Sequence, residues 1–213
     1  MSETLLSAYR NDTQELLFRV YAAEIPEADR RIRARLSHLT AWDLLSAALL
    51  EDFGIRHVRA ARTGLEKPYL LNIPLHMNLS HCADLAICAV SRIPVGTDAE
   101  TPRKCRENLL PRICTAEESA YILGQPDKNR AFTRIWTLKE AYGKHSGEGI
   151  RMNLRETGFR IEPHLQMLSP DVPDLRFFQM IHDNYHFVTV CLQETAEISL
   201  IKSDAWELYT DGR

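Results

Sequence analysis

No apolar run in this chain approaches the length of a membrane-spanning helix, and the stretch from Met1 to Arg10 has no basic region followed by an apolar core. Neither a membrane-bound nor an exported protein is expected. Positive charge is not in excess: 26 Lys and Arg face 29 Asp and Glu, for a net charge of −3. That balance argues against a dedicated nucleic-acid binder, so any affinity for phosphate must be local. The five cysteines, at 82, 88, 105, 114 and 191, form no Cys-x-x-Cys and have no nearby His at zinc-site spacing. Cys88 and Cys191 stand in apolar runs as small hydrophobes, and a reduced, cytoplasmic setting is expected. Low-complexity tracts, Gly/Ser linkers and fixed-period repeats are absent too. The 213 residues, 45% hydrophobic, should therefore be folded throughout, as one large domain or two small lobes.

What is present reads as strands and helices grouped in two rounds, each with a helix before or among its strands. From Thr40 to Phe53, Trp42, Leu44, Leu45, Ala48, Leu49 and Phe53 recur at helical spacing ahead of Gly54, a natural C-cap. Upstream, Arg30, Arg31, Arg33 and Arg35 read as a solvated helix face. Strands are expected over Met77–Ser80, Leu85–Ser91 and Val95–Glu100. One helix should open at Thr115 with Glu118 completing a capping box, and another should run from about Lys128 to His145. Leu175–His182, an Asp183-Asn184 turn, Tyr185–Gln193 and Glu197–Ser203 read as β. This order predicts an α+β fold: two similar lobes of antiparallel sheet plus helices in a pseudo-twofold arrangement, residues 1–100 and 101–213.

Asp98 and Glu100 leave the same face of a strand, where two acids repel unless a cation lies between them or solvent bathes the face. Gly96, two residues earlier, permits close backbone approach. Trp136, Glu140 and Lys144 form one stripe of a helix, with Lys139 offset by about 100°. Glu140 and Lys144 alone would make an ordinary surface ion pair. Ser80-His81 ends a strand at a rim, where both could donate to phosphate oxygens or simply satisfy a turn. No Gly-x-Ser-x-Gly elbow supports a nucleophilic Ser80. Arg62 and Lys67 flank a Gly and a Pro in a segment that reads equally as a phosphate grip or a charged loop.

Taken in order, these segments resemble the 4′-phosphopantetheinyl transferases, specifically the larger two-lobed, surfactin-synthetase-activating type. The resemblance spans roughly Arg62 to Gly149: Lys67-Pro68, Asn78-x-Ser80-His81, Gly96-x-Asp98-x-Glu100 and Trp136-x-x-Lys139-Glu140-Ala141-x-x-Lys144. It implies transfer of 4′-phosphopantetheine from coenzyme A to a serine of an apo acyl or peptidyl carrier protein, releasing adenosine 3′,5′-bisphosphate. It further implies that Asp98, Glu100 and Glu140 hold Mg²⁺. Arg62, Lys67, Ser80, His81, Asp98 and Lys139 would face coenzyme A, with Glu140 or a metal-held water as base and Lys144 stabilising phosphate charge. A monomer is expected, with its site between the lobes.

Three departures from the family pattern stand out. Glu66 replaces the glycine of Gly-Lys-Pro, Thr40–Glu51 holds no Lys or Arg, and Thr97 and Ala99 flank Asp98 where the family favours Ile. Arg33 or Arg35 is the expected compensation for the second. Arg103–Cys114, where Leu109, Leu110 and Ile113 alternate with basic residues, is the expected carrier-docking segment. Two alternatives remain: a coenzyme A or carrier-binding homologue that does not transfer, and another Mg²⁺-dependent phosphotransferase or phosphohydrolase.

Overall fold

The computed structural model describes residues 2–65, 67–149, 152–168, 175–183, 185–193 and 197–210. Glu66 and Asn184, both read from the sequence as loop positions, lie outside them. The chain opens with a hairpin, β1 (Ser2–Arg10) and β2 (Leu16–Glu24), followed by the long helix α1 (Arg30–Phe53). Two short strands, β3 (Ala60–Arg62) and β4 (Pro68–Leu70), precede β5 (His76–His81), β6 (Leu85–Ser91) and β7 (Val95–Glu100). Helices α2 (Leu110–Ile113), α3 (Ala116–Gly124) and α4 (Lys128–Ser146) come next. Short strands β8 (Phe159–Arg160) and β9 (Gln166–Met167) lead to β10 (Leu175–His182), β11 (His186–Gln193), β12 (Ile198–Lys202) and β13 (Glu207–Tyr209).

The fold is mixed α+β with antiparallel pairing, in two main sheets ordered β12-β1-β2-β6-β5 and β13-β10-β11-β7. Their inner faces share one core, in which Leu6, Phe18, Val20 and Ile87 meet Phe178, Val188 and Val190. On the outer face of the first sheet, α1 packs Leu45, Ala48 and Leu49 against Ala86, Cys88 and Val90. On that of the second, α4 packs Ile135 and Leu138 over Phe177 and Cys191. Strand β6 shows the logic: Leu85, Ile87 and Ala89 face the shared core while Ala86, Cys88 and Val90 face α1. A strand covered on both faces must be apolar at every position, which is why this one shows no polar alternation.

Two sequence expectations change. Helix α1 begins at Arg30 rather than Thr40, capped by Asp29, whose carboxylate accepts the Arg31 and Ile32 N–H groups. Its first turns are largely exposed, so they carry little of the apolar spacing that marks the rest. The boundary at residue 100 does not follow the sheets either: β7, assigned to the first lobe, pairs with β11 in the second sheet, and β12 returns to pair with β1. Gly54 does cap α1 in a left-handed conformation (φ 68°), and Thr115 and Glu118 form the expected capping box. No helix among the described residues is long and apolar enough to cross a membrane.

Candidate active site at the seam between the sheets

Strands β5 and β7 are edges of different sheets lying side by side, and side chains of β5 join them. Asn78 Oδ1 accepts the Thr97 N–H at 2.8 Å, and Ser80 Oγ accepts the Ala99 N–H at 3.3 Å. Both residues are buried, so the Asn-x-Ser spacing works as a suture between the sheets. The Ser80 hydroxyl also donates to Asp98 Oδ1 at 2.9 Å and accepts from Lys144 Nζ at 2.8 Å. Lys144 completes the triangle by donating to Asp98 Oδ1 at 2.7 Å. With one proton given and two received, the serine's bonding capacity is fully used.

Lys144 reaches this point because α4 rests directly on β7. A Cβ added at Gly96 would lie 2.1 Å from the Ala141 carbonyl oxygen and 2.3 Å from the His145 nitrogen. The bare glycine admits the helix backbone and turns the Trp136–Glu140–Lys144 stripe toward Asp98 and Glu100. Trp136 Nε1 donates to Glu100 Oε1 at 3.2 Å. Arg103 donates to the same oxygen, and its guanidinium lies 4.8 Å from the Trp136 ring centroid.

Burial, and then the charge of Asp98, push Glu140 above the ordinary carboxylate range, against the pull of Lys144. Burial and Asp98 raise Glu100 likewise, with Arg103 opposing. Asp98 Oδ2 is buried with no hydrogen-bond partner among the described residues. An orphaned carboxylate oxygen beside two acids that resist ionisation is a donor set for a hard divalent cation, so these residues fit Mg²⁺. The three acids do not close on one another, however: among the described residues, the group with all ligand atoms within 4.8 Å is Cys82, Asp84 and His186. Glu100 is held instead by Arg103 and Trp136.

Hollows flank the triangle. On one side Lys67, Asn78, Lys144 and Gly147 line a pocket of about 200 Å³. Lys67, lowered by burial, donates to the His145 carbonyl at 3.0 Å and so ties its loop to the end of α4. On the other side His81 joins Arg30, Arg33 and Ser37 around about 370 Å³. Burial, then Lys144 and His38, keep the His81 imidazole below its ordinary value. Arg33 Nε is buried there without a hydrogen-bond partner among the described residues. A third hollow of about 410 Å³ lies against Trp136, with Leu109, Ile113 and Phe132 rimmed by Arg103, Lys104 and Arg106.

Two predicted site residues are not brought to the seam. Arg62 ends β3 opposite Pro68, exposed, and lines neither pocket beside the triangle. Lys139, expected to face coenzyme A, is fully buried, turned away from the functional stripe of α4. Its ammonium lies 2.9 Å from Glu118 Oε2 and donates to the carbonyls of Leu154, at 2.6 Å, and Thr157. The offset of about 100° from the functional stripe turns it into the second core. Glu118 is equally buried and also accepts the Thr115 and Phe159 N–H groups, each at 2.8 Å, so its capping role is structural. Arg33 is one of the two arginines expected from the sequence to compensate for the cation missing from Thr40–Glu51, whereas Arg30, in the same hollow, was not assigned to the site. Their (i, i+3) spacing just behind Asp29, an N-cap residue, was the available signal.

Residues 94–191 match the sequence model of the 4′-phosphopantetheinyl transferase superfamily. The chain is 36% identical over 94 residues to 4′-phosphopantetheinyl transferase psf-1 of Bacillus pumilus, covering 43% of this chain and 40% of that one. It is 27% identical over 140 residues to a 4′-phosphopantetheinyl transferase of Bacillus subtilis, covering 58% and 62%. It is 33% identical over 115 residues to 4′-phosphopantetheinyl transferase HetI of a Nostoc species, covering 52% and 48%. The chain thus spans about half the length of the curated relatives it matches.

Proposed function

We propose that this chain is a member of the 4′-phosphopantetheinyl transferase superfamily, whose model matches residues 94–191, and that it moves the 4′-phosphopantetheine group of coenzyme A onto a serine of an apo carrier protein. The observation that carries this reading is the Ser80–Asp98–Lys144 triangle: a lysine held at 2.7 Å from a buried aspartate, with Glu140 one helical turn before it. Phosphoryl-type transfer needs placement and neutralisation of oxygen charge more than covalent help from the protein. The chain's polar groups are arranged for that task.

Asp98, Glu100 and Glu140 would hold Mg²⁺, which when bound neutralises charge on the pyrophosphate oxygens. The other roles belong to side chains. Lys144, with 27% of its side chain exposed, presents its remaining hydrogen-bonding capacity to a phosphate oxygen in the cleft. Glu140, raised by burial and Asp98, is a better proton acceptor than an ordinary carboxylate and would take the proton of the incoming serine hydroxyl as its oxygen attacks the β-phosphorus. The bond to the adenosine bisphosphate breaks in the same displacement. Arg33 and His81, which line the hollow next to Ser80, would meet the nucleotide's phosphates. Because α1 begins at Arg30, its basic first turns would supply the cations that Thr40–Glu51 lacks. A cytoplasmic setting fits the five free cysteines.

Mass spectrometry of an apo carrier incubated with the protein, coenzyme A and Mg²⁺ tests the reading. A phosphopantetheine-sized gain is expected, and none with several carriers would overturn it. Glu140→Gln should slow that gain by roughly 10²–10⁴-fold while leaving the circular dichroism spectrum unchanged. Retained activity in that variant would remove Glu140 from the base and metal roles.

The carrier is proposed to seat its helix on the hollow rimmed by Lys104 and Arg106, whose apolar floor of Leu109, Ile113 and Phe132 suits an acidic amphipathic helix. Charge reversal at Lys104, Arg106 and Arg112 together should raise the carrier KM roughly tenfold with the coenzyme A KM unchanged. Arg103 is left intact because it holds Glu100. An unaltered carrier KM would place docking elsewhere.

A further inference from the structure

Away from the triangle, three side chains converge on one point from both sheets. Cys82 and Asp84 belong to the turn joining β5 to β6, His186 is the first residue of β11, and all their ligand atoms lie within 4.8 Å of one another. His186 Nε2 sits 2.8 Å from Asp84 Oδ1. The ring is fixed by its neighbours: it lies parallel to His182 at 6.2 Å between centroids and meets the Tyr185 ring edge-on at 4.9 Å. All three residues are partly buried, and the Asp84 side chain is 44% exposed, which leaves an entry path.

We propose that Cys82, Asp84 and His186 form a binding site for a divalent transition-metal ion of the zinc type, with a fourth coordination position open to solvent. One sulfur, one imidazole nitrogen and one carboxylate oxygen make a borderline-soft donor set that favours Zn²⁺ or Co²⁺ over Mg²⁺. Entry of the ion displaces the Cys82 thiol proton and any proton shared between His186 and Asp84, both released to solvent. The site abuts the transfer machinery: Cys82 lines the hollow that holds Arg33 and His81, and Phe187, next to His186, pairs with Glu100 in the β11–β7 ladder. Since its ligands come from the first sheet's turn and the second sheet's strand, the bound ion clamps the two sheets at that end of the seam.

The sequence hid this group because its third ligand lies 102 residues from Asp84. Titrating the purified, metal-free full chain with Co²⁺ tests the site. One equivalent should bind with a thiolate-to-cobalt charge-transfer band, displaced by Zn²⁺ and unaffected by excess Mg²⁺. Cys82→Ser should abolish the band, His186→Gln and Asp84→Asn should each weaken Co²⁺ binding at least about tenfold, and Cys105→Ser should leave it intact. Zn²⁺ should also raise the melting temperature of the wild-type chain but not of His186→Gln. The absence of a saturable band in the wild-type protein overturns the proposal whatever the variants do. So does a band that survives Cys82→Ser, or one that His186→Gln and Asp84→Asn both leave at wild-type affinity.

Discussion

Replacing Gly96 with alanine should destabilise the protein by about 3 kcal/mol and cut transfer activity about 100-fold. The added methyl would lie 2.1 Å from the Ala141 carbonyl oxygen and 2.8 Å from the His145 Cα. Those are backbone atoms of a helix buried against a strand, so no side chain can rotate out of the way. The helix must lift or the strand must bend, and either movement pulls Lys144 and Glu140 away from Asp98. Both effects share one cause, so the urea midpoint and the turnover should fall together, at an unchanged denaturant slope. A Gly96→Ala protein with wild-type midpoint and wild-type turnover would show that the close approach of α4 to β7 does not set the site's geometry.

Lys139→Met should cost about 3–5 kcal/mol, since it strands the fully buried carboxylate of Glu118 without its cation. Adding Glu118→Gln should return part of that stability, because no unpaired charge is then left in the core. Urea denaturation of the single and double variants reads the difference. The double variant should bind coenzyme A with wild-type KM, as a residue hidden in the second core has no ligand to lose. A folded double variant whose coenzyme A KM rises more than about tenfold would return Lys139 to the binding site.

The two motifs that the sequence displayed most clearly are local in character. Gly96-x-Asp98-x-Glu100 is a strand face and Trp136 to Lys144 is a helix stripe, and both periodicities survive in the structure because each element is long enough for its own geometry to rule. Lys139 was misplaced because adjacency in a motif says nothing of direction, and a step of about 100° carries a side chain from cleft to core. The hairpin β1–β2 was not read at all, although Leu5, Leu6, Phe18 and Val20 lie at the centre of the shared core. Part of the reason is irregular pairing: its register shifts between Thr4 and Leu6 and again between Ala8 and Tyr9, which breaks the alternation that would mark a strand. The meeting of Cys82 and Asp84 with His186, and of Ser80 with Lys144, depends on which sheet edges lie side by side, and no window of sequence contains that information.

The exchange of strands between the sheets also bears on the order in which the molecule can be made. Strand β1 precedes every other described strand, yet the partner for its outer edge, β12, lies near the far end of the described chain. Until Ile198–Lys202 leaves the ribosome, β1 offers a row of unsatisfied backbone donors and acceptors, the surface on which a neighbouring nascent chain can add a strand. A strand made late among the described ones therefore seals one made early, and until it arrives the outer edge of β1 stays open to strand addition.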